Sequence, residues 1–469
     1  MFDSPSAVRR AHPFLILLIA LGSSAGCAAS RGPGLAPGEV QEAIDLRASG
    51  PESALEAQQL AGLDALALPR PTALELASPE SPAYWRACAL AWNPQVRQAR
   101  RELQSAIASA RAAGQPGEVE ASVEAPELDD PGRDTEIALT FDLLGILGLG
   151  PAHALRASAR GEVRRARAGL ESAVWNATFD VERARVRLAA SRERERRLER
   201  LLVEVKSQSE RFEILARRGR LSEADVQMAS AASHEVEHAR SHETAESAEK
   251  QAELARISGL PFVHPAYATI AGEVLDEPRR IAPAPDVRKL LAQDPALREL
   301  ALEYAQAELH VRHMAAEAWP TLRLGPKLTL EPSDVLLGGV LDLSVPWPGS
   351  VAKAVRIASA EREAARERVE DGLNLAQARI ASLSTIEAEA RVRAVEHGVL
   401  MDEAQEASWQ ATNARLRFGE VGVSEWTRAA RERMDPLTGL VDERESAAIA
   451  ALDFAQACGV VPNATEVTP

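Results

Sequence analysis

The sequence predicts a mainly α-helical fold with a small β part, arranged as two tandem repeats of helix, β-hairpin, long helix, turn and helix. Two proline-free runs, Ala152 to Leu260 and Val351 to Phe418, are rich in Ala, Arg, Glu and Leu, a composition typical of helices. An alternating, hairpin-like stretch precedes each run. The landmarks around the runs correspond at an offset of about 200 residues: Asn93-Pro94 with Asp294-Pro295, Gly219 with Gly419, and Ile257-Ser258-Gly259 with Ala457-Cys458-Gly459.

Both long runs carry an apolar seam whose residues step by four and by three, the spacing of a coiled coil. A helix from Pro151 to Arg218 is expected to be about 100 Å long at the usual rise per residue, too long for a globular core. We therefore expect it to lie against similar helices. The first seam is Val174, Ala177, Val181, Ala184, Leu188, Leu198, Leu202, Val205 and Phe212, interrupted at Ser191, Glu195 and Ser209; the second is Val355, Ala358, Ala365, Val369, Ala376, Leu383, Ala390, Ala394, Met401 and Ala404.

The repeat and the local composition divide the chain into segments. We expect a signal peptide over residues 1–26 and a lipid anchor with its tether over 27–82. The first repeat is expected over 83–260, a proline-rich connector over 261–290, the second repeat over 291–462 and a tail over 463–469. The strands are predicted at about 118–144 and about 321–346.

The N-terminus has the pattern of an export signal. A basic start at Arg9, Arg10 and His12 precedes an apolar core from Phe14 to Leu21, which is too short to span a membrane. The residues Ser24-Ala25-Gly26 before Cys27 resemble a bacterial lipobox and predict that Cys27 is lipidated, with palmitate among the acyl chains. The alternative is ordinary signal cleavage with Cys27 incidental.

Two further cysteines, Cys88 and Cys458, would then lie in an oxidising compartment, where a disulfide is permitted. Cys88 lies at the start of the first repeat and Cys458 closes the second repeat, so the fold can bring them together. Two buried free thiols are the alternative.

The charge and aromatic content exclude some classes of function. The net charge is −15, and no clustered basic face is present to neutralise phosphates, so we expect no nucleic-acid partner. Aromatic residues make up only 4% of the chain, which suits alanine-rich helix packing better than several globular cores. No G-x-x-x-x-G-K-[ST] phosphate loop occurs, so we expect the chain itself to hydrolyse no nucleotide. We also expect no cofactor and no enzyme activity.

Each repeat contains a hairpin in which apolar and polar residues alternate. Strands of about 8 to 10 residues with one apolar face are typical of tilted membrane-spanning strands. A half-buried soluble hairpin on a helix is the alternative. Four strands cannot close a barrel, and open edges are not tolerated in lipid, so the membrane interpretation requires a homotrimer with twelve strands.

The polar face of these strands is predicted to line a lumen. Acidic residues outnumber basic ones there, which favours cations through charge focusing; mere solvation without selectivity is the alternative. The predicted lumen residues are Glu118, Glu120, Glu124, Glu136, Asp142, Arg323, Lys327 and Asp342.

A glycine turn follows each long helix, and a return helix of about 37 residues follows each turn. Ser222 and Ser424 are predicted N-caps with acidic residues close behind. Pro436 is expected to kink the second return helix.

This order of elements behind a lipobox resembles the TolC-type outer-membrane efflux proteins over residues 83 to 462. The resemblance implies a trimeric α-barrel with a 12-stranded β-barrel in outer-membrane lipid. It also implies a periplasmic adaptor, an inner-membrane pump and a passive exit duct. The opening Asn93-Pro94 and the first strand are closest to the branch that serves heavy-metal pumps. The implied adaptor-contact tips are Gly219, Arg220, Leu221, Ser222, Gly419, Val421, Gly422, Val423 and Ser424.

Two other functions compete with this interpretation. A periplasmic coiled-coil adaptor or scaffold also has paired long helices, but it normally carries a lipoyl-like β module. A zinc peptidase is suggested by His234-Glu235-Val236-Glu237-His238, which fits H-E-x-x-H, with His242 one turn further. The aliphatic seam on this helix places the histidines on the opposite, solvated face, so we expect no catalytic metal and keep His234, His238 and His242 as weak metal-ligand candidates.

Overall fold

The computed structural model describes residues 78–113, 119–124, 135–142, 151–276, 294–330 and 334–460, together with Arg47, Pro51 and Leu290. The chain divides into two units, Met1–Ser49 and Gly50–Pro469, and every helix and strand named below lies in the second. The predicted signal peptide, Cys27, Glu118 and the tail 463–469 lie outside the described residues, as does most of the tether.

The order of elements is the predicted one, written twice. In the first repeat α1 spans Pro82–Trp92, α2 Pro94–Ala113, β1 Val119–Glu124, β2 Thr135–Asp142, α3 Pro151–Arg217 and α4 Glu223–Ser258. In the second repeat α5 spans Pro295–Ala316, β3 Thr321–Leu330, β4 Val335–Ser344, α6 Pro348–Val392, α7 Val399–Arg417, α8 Val423–Glu432 and α9 Met434–Ala457. The strands β1 and β2 have 6 and 8 residues, so β1 is shorter than predicted.

The long helix α3 is the centre of the helical packing. It has 67 residues, which corresponds to about 100 Å, and it packs against α1, α2, α4, α5 and α9. All nine predicted seam residues are buried, with exposed fractions of at most 4%. The seam prediction is therefore confirmed, and burial on several sides explains how so long a helix is stabilised.

The second long helix differs from its prediction. We expected one helix from Val351 to Phe418, but a π-helical segment at Arg393–Gly398 separates α6 from α7. Its seam is also less buried: Ala358, Ala365 and Ala390 are buried, whereas Ala404 is exposed. Within the described chain, α6 packs mainly against α5, α9 and the π segment. Much of its surface therefore contacts no other described element.

The ends of the helices repeat with the predicted offset. Four glycines have a positive φ near 70°, the left-handed conformation that ends helices: Gly219, Gly259, Gly419 and Gly459. At the entrance of α2, Asn93 Oδ1 accepts from Gln95 N at 2.9 Å, and its Nδ2 donates to Ile257 O at 2.9 Å. Asp294 caps α5 in the same way by accepting from Ala296 N at 2.8 Å.

The second return helix breaks where Pro436 predicts. The break is at Arg433, between α8 and α9, three residues before the proline. Proline lacks the N–H that a continuous helix would use and clashes with the preceding turn, which accounts for the position. The first return helix contains no proline and runs unbroken for 36 residues.

The two hairpins form one antiparallel sheet with the strand order β1-β2-β3-β4. The hairpins join where β2 pairs with β3, with Phe141 opposite Leu324 and Asp142 opposite Arg323. Residues that lie opposite each other share a face, so the alternation predicted for each hairpin continues across all four strands. Among the described strands, β1 and β4 are the edges.

Close approach at Gly325 makes this junction possible. A Cβ built on Gly325 would lie 1.7 Å from the carbonyl oxygen of Leu139 on β2. The neighbouring Pro326 has no N–H, and the β2–β3 register shows no pairing for Leu139 and Thr140. Only glycine fits where the backbones come so close.

The segment between the repeats is more than a linker. Its described part forms 3₁₀ helices at Pro265–Thr269 and Gly272–Asp276. Tyr267 is buried with its ring centroid 5.4 Å from that of Trp85. The cysteines lie in different apolar clusters, Cys88 with Trp85 and Cys458 with Phe454, and both are buried free thiols.

Candidate functional site: helix tips, strand faces and helix junctions

The turn between α3 and α4 is built by its backbone. Gly219 N donates to Ala216 O at 2.8 Å and Arg220 N to Leu215 O at 2.9 Å, the paired bonds of a Schellman motif. Ser222 then caps α4: its Oγ accepts from Asp225 N at 3.2 Å, and the Asp225 carboxylate accepts from Ser222 N at 3.2 Å. The prediction for Ser222 is confirmed as a capping box.

The turn between α7 and α8 has the same geometry with a different cap. Gly419 N donates to Leu416 O at 3.1 Å and Glu420 N to Arg415 O at 2.9 Å. The N-cap is Gly422, without a side-chain bond, so the prediction that Ser424 caps this helix is wrong. The spacing from the turn glycine to the cap is the same in both repeats, and this spacing places Ser424 inside the first helical turn.

An apolar cluster beneath both turns holds them together. We call it the tip-end cluster, formed by Leu201, Leu202, Val205, Phe212, Ala229, Val236, Trp409, Val423, Trp426 and Ala430. Trp426 is fully buried, lies 5.4 Å edge-on from the Phe212 ring, and donates from Nε1 to Asn413 Oδ1 at 2.8 Å. The cluster draws residues from α3, α4, α7 and α8, so the two turns form one end of the helical part.

The predicted tip residues differ in exposure. Val421 and Val423 are buried, and Leu221 is half-buried. Their side chains support the turns. The remaining predicted tip residues are exposed: Gly219, Arg220, Ser222, Gly419, Gly422 and Ser424.

Sequence reasoning missed two features of the tips. Phe418 is 82% exposed at the end of α7, although it is a large apolar side chain. Arg217, Arg218 and Arg220 are exposed and form no ion pair with any residue that the structure describes. The three arginines around Gly219 and the aromatic residue before Gly419 are visible in the sequence. Helical periodicity could not predict that they are exposed, because it does not apply at the end of a helix.

On the polar strand face, acidic and basic residues are matched across strands. Lys327 forms an ion pair with Glu136. Arg323 lies opposite Asp142 on one side and Asp342 on the other. The register also places Glu120 and Glu124 of β1 on this face, opposite Thr140 and Glu136. The backbone register is consistent with the predicted alternation in these strands, and a lumen lined by these residues stays a prediction.

The opposite strand face is apolar and exposed. Leu337 is 80% exposed, Leu341 68% and Leu324 48%. Leu324 lies opposite Phe141 and Leu341, so the apolar band is continuous across β2, β3 and β4. A continuous exposed apolar patch of this kind marks a surface that contacts lipid or another chain. No helix in the described part of the chain is both long enough and apolar enough to cross a membrane.

The arginine run on α3 joins several helices. Arg194 donates to Glu243 of α4 at 3.1 Å and to Asp442 and Glu445 of α9 at 2.7 and 2.9 Å. Burial disfavours its charged form, but the bonds and charges of Glu445 and Glu243 outweigh burial and raise the pKa of Arg194. Arg197 reaches Asp402 of α7 at 3.2 Å. The predicted salt-bridged helix surface is therefore a set of bonds between helices.

The H-E-x-x-H segment lies on the solvated face of α4, as predicted. His234 is 77% exposed at its side chain and lies 3.7 Å from Glu237. Glu235, which a peptidase would use as general base, forms an ion pair with Arg431 of α8. The group of potential metal ligands that the described residues bring together contains His242, Glu243 and Glu246 instead.

The β part also bears on the adaptor alternative. A coiled-coil adaptor is expected to carry a lipoyl-like module between its long helices. The described strands form two amphipathic hairpins joined in one four-stranded sheet. This arrangement does not match such a module.

Comparison with known proteins identifies the fold. No protein-family model matches the sequence, and no curated protein matches it. The CmeC outer membrane channel of Campylobacter jejuni is similar in structure, with a TM-score of 0.65 and 13% identity over 81% of this chain and 86% of that chain. The outer membrane protein VceC of Vibrio cholerae gives 0.63 and 18% over 81% and 96%.

The open state of the MtrE outer membrane channel of Neisseria gonorrhoeae gives a TM-score of 0.66 and 15% identity over 80% of this chain and 88% of that chain. Each of these similarities covers at least 80% of this chain. The two repeats of helix, hairpin, long helix, glycine turn and return helix thus have the fold of the TolC-type outer-membrane channel proteins.

Proposed function

We propose that three copies of this chain form a passive outer-membrane channel, with their hairpins closing a 12-stranded barrel in the lipid. The observation that carries the proposal is the sheet with one continuous apolar face and one charged face. In water the apolar face would expose Leu337 at 80%. A four-stranded sheet has two open edges, which lipid does not tolerate, and pairing β4 of one copy with β1 of the next removes both.

The surface of α6 supports the same assembly. Large apolar side chains are exposed along it: Ile357 at 53%, Leu375 at 71% and Ile386 at 47%. The corresponding helix α3 buries its seam completely within the chain. We infer that a second copy covers α6, which gives a ring of helices below the barrel.

The tips are proposed to contact a periplasmic adaptor that links the channel to an inner-membrane pump. The exposed arginines around Gly219 and the exposed Phe418 offer a cationic and an apolar contact at one end of the helices. The chain has no nucleotide-binding loop, so the energy for export comes from the pump. Lipidation at Cys27 is proposed to anchor the chain at the outer membrane, and assignment to the branch serving heavy-metal pumps remains a prediction.

Fractionation with gel mobility tests the channel proposal. We expect the full chain in the outer-membrane fraction, extractable only with detergent, and migrating as a trimer that heating converts to a monomer. Recovery of the mature chain as a water-soluble monomer contradicts the proposal. Labelling with a radioactive fatty acid, compared between the native chain and Cys27→Ser, tests the anchor separately.

The tip glycines should be essential for export and dispensable for assembly. Gly219 and Gly419 have φ values of 73° and 75° with no atom within 4 Å of an added Cβ. Valine at either position is strained by about 1–2 kcal/mol in the left-handed region, and the turn changes shape without a clash. We expect Gly219→Val and Gly419→Val to lose pump-dependent resistance in cells while the heat-sensitive trimer persists.

Gly439 provides the matched control, because it lies within α9 and an added Cβ also meets nothing within 4 Å. Gly439→Val should keep resistance. Full resistance in both turn variants would remove the tips from the mechanism.

The pore should prefer cations. Lys327 and Arg323 are matched by acids on neighbouring strands, whereas Glu120 and Glu124 lie on β1 with no basic residue opposite them in the register. Confinement in a channel strengthens the field of such groups. Reversal potentials in planar bilayers should show cation preference, which Glu120→Gln combined with Glu124→Gln reduces. Anion preference of the native channel contradicts this prediction.

A further inference from the structure

A cluster of potential metal ligands lies on α4, away from the tips and the strands. It consists of His242, Glu243 and Glu246, each of which offers a ligand atom within 4.8 Å of the other two. His242 and Glu246 are one helical turn apart and so share a side of the helix. His242 is exposed and both carboxylates are half-buried. We propose that these three residues bind one divalent transition-metal ion on α4.

Neighbouring residues hold the ligands in position. Arg194 Nε donates to Oε2 of Glu243 at 3.1 Å, and Ser191 Oγ donates to the backbone oxygen of the same residue at 3.3 Å. A carboxylate has a second oxygen that remains available to a cation. Arg194 thus plays the part of the outer-shell partner that orients a ligating carboxylate.

The local charge favours a cation. The single positive charge of Arg194 is shared among Glu243, Asp442 and Glu445. Glu246 has Lys250 at 3.7 Å. A bound cation relieves the repulsion between the two carboxylates.

The ligand types indicate which ions are bound. An imidazole nitrogen with two carboxylate oxygens suits Zn²⁺, Ni²⁺ or Cu²⁺, whereas Mg²⁺ and Ca²⁺ prefer oxygen ligands alone. Three protein ligands leave the remaining coordination position to water. The site differs from the H-E-x-x-H arrangement, because His234 and His238 do not belong to this group of ligand atoms. We assign it binding and no hydrolysis.

Calorimetry with the metal alone tests the proposal. The full chain is purified in detergent without a polyhistidine tag and titrated with Zn²⁺, then with Mg²⁺. We expect one Zn²⁺ per chain, with no competition from Mg²⁺. His242→Ala and Glu246→Gln should each weaken Zn²⁺ binding by at least about ten-fold, the loss that even outer-shell changes cause.

A matched control is His310→Ala on α5, since His310 is also partly exposed but, among the described residues, pairs only with Glu361 at 3.9 Å. Its Zn²⁺ affinity should equal that of the native chain. The proposal is overturned if native chain and both ligand variants bind Zn²⁺ equally. It is also overturned if His238→Ala abolishes binding while Glu246→Gln retains it, since that result identifies a pair of histidines as the site. Circular dichroism confirms that the variants remain helical.

Discussion

Replacing Gly325 by alanine is expected to prevent the two hairpins from joining in one sheet. The added Cβ would lie 1.7 Å from the Leu139 carbonyl oxygen and 2.6 Å from its carbon, both backbone atoms of β2. A flexible side chain could move aside, but a paired strand cannot. Overpacking of this kind costs about 1–3 kcal/mol or more, and here it falls on the junction that links the repeats.

The readout for Gly325→Ala is the heat-sensitive trimer on gels, together with conductance in planar bilayers. Both should be lost or strongly reduced. Gly338→Ala is the control on the same sheet, because its added Cβ would lie 4.0 Å from the nearest atom, Lys327 O. A normal trimer yield for Gly325→Ala would contradict the close approach of the β2 and β3 backbones at Gly325.

Replacing Trp426 by alanine should destabilise the tip end of the helices. The side chain is fully buried, packs against Phe212 and Trp409, and donates to Asn413. Truncating a buried tryptophan costs about 3–5 kcal/mol through lost contacts and the cavity that remains. Asn413 is also left without its indole donor. We expect local opening of the turns before the rest of the helical part unfolds.

Limited trypsin digestion measures this opening, because Arg217, Arg218 and Arg220 place cleavage sites at the first turn. The Trp426→Ala chain should be cut there much faster than the native chain. Phe418→Ala, which removes an aromatic side chain that is 82% exposed at the same end, should be cut at the native rate. Equal cleavage of both variants contradicts a supporting role for the tip-end cluster.

The spacing of apolar residues predicted those parts of the fold in which a single helix or strand buries one of its sides. The seam residues of α3, from Val174 to Phe212, are buried as expected because a heptad spacing keeps them on one side of a helix. The offset between repeats predicted the helix ends, since Gly219 and Gly419 both adopt the left-handed conformation. The alternation in the second hairpin predicted its apolar face, on which Leu337 and Leu341 are exposed.

Features that depend on contacts between distant elements were not predictable in this way. The π segment at Arg393–Gly398 was not predicted, because no proline interrupts the sequence there. Ser424 was assigned as a cap from residue type, whereas the fixed length of the turn decides the position. The partners of Arg194 come from α4 and α9, and only the folded chain brings these helices together.

The packing of α3 also has a consequence for how the chain folds as it is synthesised. Its partner α4 follows directly in the sequence, whereas α5 and α9 belong to the second half. The chain is synthesised from its N-terminus. Part of the apolar surface of α3 therefore stays exposed until α5 and α9 have been made. Truncated products that end before α9 are therefore the species from which aggregation should begin.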